Sequence, residues 1–181
     1  MEDAQIISKF ADERTREEAF GYLLKKYQQK IYWHIRRMVI NHDDADDVVQ
    51  EVFIKVWRNL EKFREDSQLY TWLYRIATNE CITFLNKKKQ KQNISLDDDT
   101  SNYLAETLAE GSYFNGDRAQ MKLQEALLTL PEKQRLVFNM KYFEDLKYDE
   151  ISEILGTSVG ALKASYHLAV KKIEKFISGN D

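Results

Sequence analysis

Residues 148–177 read YDEISEILGTSVGALKASYHLAVKKIEKFI, and their apolar residues recur at the three- and four-residue spacing of two amphipathic helices. The first helix is expected to end at Gly156, because glycine readily takes the left-handed conformation in which many helices terminate. Thr157 and Ser158 can cap the second helix, since their hydroxyls accept hydrogen bonds from the free amides of a first turn. Two helices joined by such a short turn are typical of a helix-turn-helix unit.

The second of these helices has one face that lacks large apolar residues. Small residues at its start would let it enter the major groove of DNA, and cations further along could meet phosphates. A plain helical hairpin with a solvated basic face would show the same spacing, so the pattern alone leaves both possibilities open. The candidate DNA-contacting residues are Ser158, Val159, Gly160, Lys163, Ala164, His167 and Lys171.

Composition predicts an all-α protein. The 181 residues include one proline and six glycines, and 43% of them are hydrophobic, which is enough for a buried core. No apolar run approaches the roughly 20 residues needed to cross a bilayer, and residues 1–10 do not resemble a signal peptide, so we expect a cytoplasmic protein. Cys81 is the only cysteine, which argues against an internal disulfide or a thiolate zinc site.

Charge divides the chain into three parts. Residues 1–92 hold 17 basic and 15 acidic residues, residues 93–117 hold six acids and no base, and residues 118–181 hold ten bases and nine acids. We therefore interpret residues 93–118 as an acidic linker between two helical domains, residues 1–92 and 119–181. A long surface loop within one domain is the alternative. The net charge of −3 is unusual for a protein that binds duplex DNA unaided.

The first domain is expected to contain three amphipathic helices: one over residues 14–40, one that follows the capping residues 41–44, and one over residues 69–88. On the second helix, Ile54 lies among acidic and amide side chains on the outer face. An isoleucine in that setting suggests a partner surface, although a solvated face with one stray aliphatic residue fits equally well.

The third predicted helix carries Trp72, Arg75 and Asn79 along one face and is followed by the lysine cluster of residues 87–91. Aromatic rings stack on unpaired bases, amides recognise base edges and cations hold the backbone, so this combination suits the capture of single-stranded DNA. The alternative places Trp72 in the core and the lysines at a solvated helix end.

Three segments carry a family resemblance. DDADDVVQEVFIKVW (43–57) and FREDSQLYTWLYRIATNECITFL (63–85) resemble the second conserved region of extracytoplasmic-function sigma factors, and LPEKQRLVFNMKYFEDLKYDEISEILGTSVGALKASYHLAVKKI (130–173) resembles their fourth region. The resemblance covers about residues 14–92 and 121–177, in the family's order. It implies a region 2 helical bundle, a region 4 helix-turn-helix and a short linker between them.

The resemblance also implies roles by position. Docking on a coiled coil of the largest polymerase subunit would involve Asp46, Asp47, Gln50, Glu51, Phe53 and Ile54. Opening the minus-ten promoter element and holding a flipped base would involve Phe63, Arg64, Ser67, Trp72, Arg75, Asn79, Lys87 and Lys88. The helix that begins after Ser158 would read the minus-thirty-five element. Family members often carry Lys-Ser-Arg and then Arg-Ala in that helix, where this chain has Lys163-Ala164-Ser165 and Leu168-Ala169, so the promoter sequence does not carry over.

The partners implied are core RNA polymerase, promoter DNA and an anti-sigma factor, which in this family is often membrane-bound. No cofactor, metal or small-molecule substrate is expected. An enzyme is disfavoured because His34, His42 and His167 fall on separate predicted elements and no phosphate-binding glycine loop is present. A non-sigma helix-turn-helix regulator is the nearest alternative, and a helical adaptor without promoter specificity is a third.

Overall fold

The computed structural model describes residues 1–93, 104, 107–108 and 118–179, so most of the predicted linker lies outside the described residues. Every regular element in the described residues is helical, which confirms the all-α prediction. The helices are α1 (Asp3–Ala11), α2 (Arg16–Val39), α3 (His42–Asn59), α4 (Leu69–Lys91), α5 (Arg118–Leu128), α6 (Glu132–Phe138), α7 (Tyr148–Leu155) and α8 (Val159–Ser178). A 3-10 turn, Leu60–Lys62, follows α3, and a π-helical turn, Asn139–Phe143, extends α6.

Helices α1 to α4 form the first lobe (residues 1–93). Helices α2, α3 and α4 pack against one another around a shared apolar core. The fully buried residues of this core include Leu23, Ile31, Ile35, Val52 and Leu73. Helix α3 begins where its capping residue predicts, because the Asn41 side chain accepts a hydrogen bond from the Asp44 amide at 3.0 Å. Sequence patterning missed α1, whose two buried residues, Ile6 and Phe10, are too few to establish a period.

Helices α5 to α8 form the second lobe (residues 118–179), and its helix-turn-helix has the predicted local geometry. Gly156 ends α7 in the left-handed conformation at φ 65°, and its amide donates to the Ser152 carbonyl at 2.8 Å. The Ser158 hydroxyl accepts from the Ala161 amide at 3.3 Å and so caps α8. Ile177, near the end of α8, keeps 41% of its surface exposed.

The two lobes pack against each other, with α7 lying on α4. The core of the first lobe continues into the second, because Met140, Ile151 and Leu162 are buried in the same cluster. Leu104 and Leu108, from the predicted linker, are buried there too. Charge patterning anticipates a polar connection between the lobes, but it does not anticipate this shared apolar contact. No helix in the described part of the chain is long and apolar enough to cross a membrane.

Candidate nucleic-acid interface

The predicted recognition helix presents its candidate residues on one side of α8. Its opposite side is held in the lobe by Leu162, Ala169 and Ile173, all of which are buried. Of the seven candidates, Ser158, Gly160, Lys163, Ala164, His167 and Lys171 are exposed and Val159 is half-buried. The start of this face is flat, since Gly160 and Ala164 project almost no side chain. The helix can therefore approach a surface closely there and offer Lys163 and Lys171 to phosphates.

The fold of the second lobe does not require a glycine at position 160. Its backbone is ordinary helix, and an added Cβ would meet no atom of the described residues within 4 Å. Glycine in a helix is less stable than alanine, so the fold would tolerate or favour alanine at this position. The observation fits a site where another molecule approaches the backbone.

An aromatic residue that sequence analysis did not single out lies beside this face. The Tyr148 ring, at the start of α7, has the Lys163 ammonium 5.7 Å and the Lys141 ammonium 4.8 Å from its centre. Both distances are within the range of cation–π attraction. Tyr148 thus orients two lysines from different elements at the same end of the helix-turn-helix. Its position beside apolar helical residues does not distinguish it in the sequence from an ordinary core side chain.

The minus-ten candidates gather around the loop before α4 and along one side of that helix. The rings of Phe63 and Trp72 lie 5.2 Å apart at 48°, and both are half-buried. Trp72 also packs against the core. The alternative that places Trp72 in the core is therefore correct for part of its ring. Among the others, Arg64, Asn79 and Lys87 are exposed, while Ser67 and Arg75 are half-buried. The pair of rings offers a surface on which an unpaired base could stack.

Two cationic residues among the minus-ten candidates, Arg75 and Lys88, have surroundings that affect how they could contact DNA. The Arg75 Nε is buried and has no hydrogen-bond partner among the described residues, an unfavourable state for a charged donor. The Lys88 Nζ lies 3.2 Å from Asp44 Oδ1, at the start of α3. A phosphate contact by Lys88 would therefore compete with an existing ion pair, whereas Lys87 is exposed.

The predicted docking residues of α3 differ in exposure. Asp46, Asp47, Gln50 and Glu51 are exposed, and Ile54 keeps 43% of its surface in solvent. Phe53, also among the predicted docking residues, is only 7% exposed and packs in the core. Its spacing from Val49 and Val56 turns it inward with them, so it can only support the face from behind.

Comparison with known proteins agrees with this geometry. The family model for sigma-70 region 2 matches residues 23–91, and that for sigma-70 region 4 matches residues 120–173. The chain is 31% identical to the RNA polymerase sigma-H factor of Pseudomonas aeruginosa, an alignment that covers 96% of this chain and 93% of the relative. It is 32% identical to the sigma factor SigW of Bacillus subtilis, with 88% and 89% covered.

The chain belongs to the sigma-70 family. Its curated relatives include extracytoplasmic-function sigma factors, which confirms the resemblance found in the sequence. Its function is therefore that of a sigma factor, a protein that directs RNA polymerase to promoters, and the non-sigma regulator is not favoured. A sigma factor RpoE, solved in complex with the anti-sigma factor NepR from Bartonella quintana, has the same fold: the TM-score is 0.72 at 19% identity, over 90% of this chain and 98% of that one.

Proposed function

We propose that three exposed surfaces of this sigma factor have separate roles. They are the outer face of α3, the side of α4 that carries Trp72 and Asn79, and the exposed face of α8. Residues 1–92 would bind core polymerase through the outer face of α3 and hold the opened minus-ten element against Phe63, Trp72 and Asn79. Residues 119–181 would read the minus-thirty-five element through α8. The observation that carries the proposal is the exposed, flat and basic face of α8, within a helix-turn-helix whose other side is held in the lobe by Leu162, Ala169 and Ile173. Residues 93–118 would serve as the acidic linker.

The acidic net charge fits a protein that selects promoters only together with RNA polymerase. Most of the salt-dependent affinity for DNA comes from neutralising phosphates, and a chain of net charge −3 supplies little of it. Polymerase would contribute the general affinity, while the two lobes supply selection. The isolated sigma factor is therefore expected to bind promoter duplex poorly and to bind it specifically within holoenzyme.

An anti-sigma factor is the regulatory partner that fits this assignment. The structurally similar RpoE is described in complex with one. We expect this chain to act in the cytoplasm, where polymerase is found, and to perform no catalysis itself. Sigma factors of this kind are often held by membrane-bound inhibitors, and such an inhibitor would have to reach the chain from the membrane surface.

Run-off transcription tests the assignment directly. Core polymerase, with and without this protein, would be supplied with genomic DNA fragments, and new start sites that share an upstream pair of motifs are the expected result. The variant Lys163→Ala should weaken use of those sites, whereas Lys133→Ala, an exposed lysine on α6, serves as the matched control. Polymerase binding without new start sites would favour the adaptor, and failure to bind polymerase would favour a lone helix-turn-helix regulator.

A further inference from the structure

A partly buried cluster of ionic and polar side chains joins the two lobes. The Glu144 carboxylate, which follows the π-helical turn, accepts hydrogen bonds from the Tyr74 hydroxyl of α4 at 2.7 Å and from the Arg37 guanidinium of α2. The Arg37 guanidinium also lies 4.4 Å from the centre of the Phe143 ring. Nearby, the Tyr70 hydroxyl of α4 donates to Glu150 of α7. Charged and polar groups of three helices thus converge on the seam between the lobes.

This arrangement cannot reach two separated promoter elements at once. The minus-ten and minus-thirty-five elements lie about 25 base pairs apart, roughly 85 Å of B-DNA at about 3.4 Å per base pair. A compact chain of this length has a radius of gyration of about 16 Å. While Tyr70 of α4 is hydrogen-bonded to Glu150 of α7, the α4 and α8 faces stay within one compact body.

We infer that the described arrangement is a closed state, which cannot engage both promoter elements, and that Arg37, Tyr74 and Glu144 form the latch that sets how readily it opens. The inference rests on the proposed roles of α4 and α8. The chain between Asn93 and Arg118 has a contour length of roughly 85 Å, so it is long enough to span separated lobes once Leu104 and Leu108 leave the shared apolar cluster.

The Arg37–Glu144 ion pair is expected to hold the two lobes together only weakly. Burial raises the pKa of Glu144 and lowers the pKa of Arg37, in each case more than the neighbouring charges and hydrogen bonds oppose the shift. The side chains keep only 21% (Arg37) and 7% (Glu144) of their surface in solvent, and an ion pair withdrawn from water in this way is often less stable than an apolar pair of similar volume. Opening returns both charges to water. The shared apolar cluster favours closure, and the ion pair limits how tightly the lobes hold together.

Single and double substitutions of Arg37 and Glu144 are expected to have opposite effects on the separation of the lobes. Arg37→Met or Glu144→Met leaves one buried charge without its partner, which should open the lobes. The double variant, Arg37→Met with Glu144→Met, removes both charges and should hold the lobes closed more firmly than the natural pair. Glu144→Gln is a milder single variant that keeps the shape of the side chain.

Distance measurements on the full chain test these predictions. Fluorophores attached at Gln28→Cys and Glu174→Cys report on the separation of the lobes, and the native Cys81 is buried away from labelling reagents. We expect the open fraction to rise about tenfold in the single variants and to fall below the wild-type value in the double variant. Core polymerase should open the wild type, and the double variant should need more polymerase to open and should give less run-off transcript.

A matched control uses an ion pair within one lobe. Lys55 and Glu80 pair between α3 and α4, so methionine at both positions should leave the distance between lobes unchanged. Circular dichroism would verify that each variant keeps its helices. Single variants as closed as wild type, or a double variant as open as the singles, would overturn the latch. Absence of transcription with every variant, wild type included, would contradict the proposed function, while the distances would still decide the latch.

Discussion

The Lys163 ammonium lies 5.7 Å from the centre of the Tyr148 ring, which links the exposed face of α8 to the first residue of α7. The same ring attracts Lys141 at 4.8 Å, and the Lys141 Nζ also donates to the Leu146 carbonyl at 3.2 Å. A lysine side chain is otherwise flexible, so contact with a ring reduces the number of positions that its ammonium samples. Tyr148 therefore has the geometry of a positioning residue for two cations.

Removing the Tyr148 ring should weaken use of the minus-thirty-five element. A cation–π contact at an exposed site contributes about 0.5–1 kcal/mol, so Tyr148→Leu should lower holoenzyme affinity roughly two- to fivefold, and misplaced lysines should reduce the salt dependence of binding. Tyr148→Phe keeps the ring and should bind nearly as the wild type does. Affinity measured at several salt concentrations gives both quantities. An equal loss on DNA without a minus-thirty-five element would contradict the positioning role.

Gly160 should be replaceable for folding but not for promoter use. Gly160→Ala is expected to raise the free energy of unfolding by up to about 1 kcal/mol, because alanine is the better helix former and the added methyl group meets no described atom. The same methyl group would stand between α8 and the DNA. Gly21→Ala is the matched control, since Gly21 is exposed within α2 and its added Cβ is also free of contacts.

Thermal unfolding and run-off transcription together test this prediction for Gly160. Both alanine variants should be at least as stable as the wild type, and only Gly160→Ala should lose transcription that depends on the minus-thirty-five element. Full activity of Gly160→Ala would show that α8 does not approach DNA at this point.

Local chemistry explains what the sequence could predict. The Asn41 cap, the left-handed Gly156 and the Ser158 cap each act within a few residues, so their types and spacing are enough to place the helix ends. The inward and outward faces of α3 and α8 follow from periodicity in the same way. Periodicity alone also turns Phe53 inward, and only the family resemblance had assigned it to the docking face.

Contacts between distant segments could not be predicted in this way. Arg37 and Glu144 are 107 residues apart, and nothing in either local pattern indicates that they meet. The same holds for Tyr148, whose role depends on where Lys141 and Lys163 lie once the lobe has folded. The burial of Leu104 and Leu108 also depends on the packing of both lobes, since the acidic residues around them dominate the local composition.

The buried His34 should make the first lobe sensitive to acid. The Thr78 hydroxyl donates to the Tyr74 carbonyl at 2.7 Å and so accepts from His34 Nε2 at 2.9 Å. Burial, with a smaller contribution from the Arg37 charge, lowers the pKa of His34 to about 3 from an ordinary value of 6.5. Between these values the unfolded chain binds a proton that the folded chain does not, so stability falls as the pH drops below about 6.5.

Urea unfolding at pH 7.5 and pH 5 measures this effect. From pH 7.5 to pH 5 the His34 contribution should cost the wild type about 2 kcal/mol, since each pH unit below 6.5 corresponds to about 1.36 kcal/mol. His34→Gln keeps a donor for Thr78 but cannot titrate, so its stability should fall less over the same interval. Acidic groups common to both proteins cancel in the comparison. Equal losses in the two proteins would show that His34 is protonated in the folded state.

Ile54 provides the last prediction, because its exposure on α3 has no explanation within the fold. It leaves 43% of its surface in solvent beside Glu51 and Gln50, and burial of that remaining area against polymerase would contribute about 1 kcal/mol. Ile54→Ser should therefore weaken binding to core polymerase about fivefold while changing the unfolding free energy little. Ile177→Ser is the matched control, because Ile177 is 41% exposed at the far end of α8. If both serine variants weaken polymerase binding equally, the effect reflects general surface hydrophobicity; a loss confined to Ile54→Ser assigns the docking contact to α3.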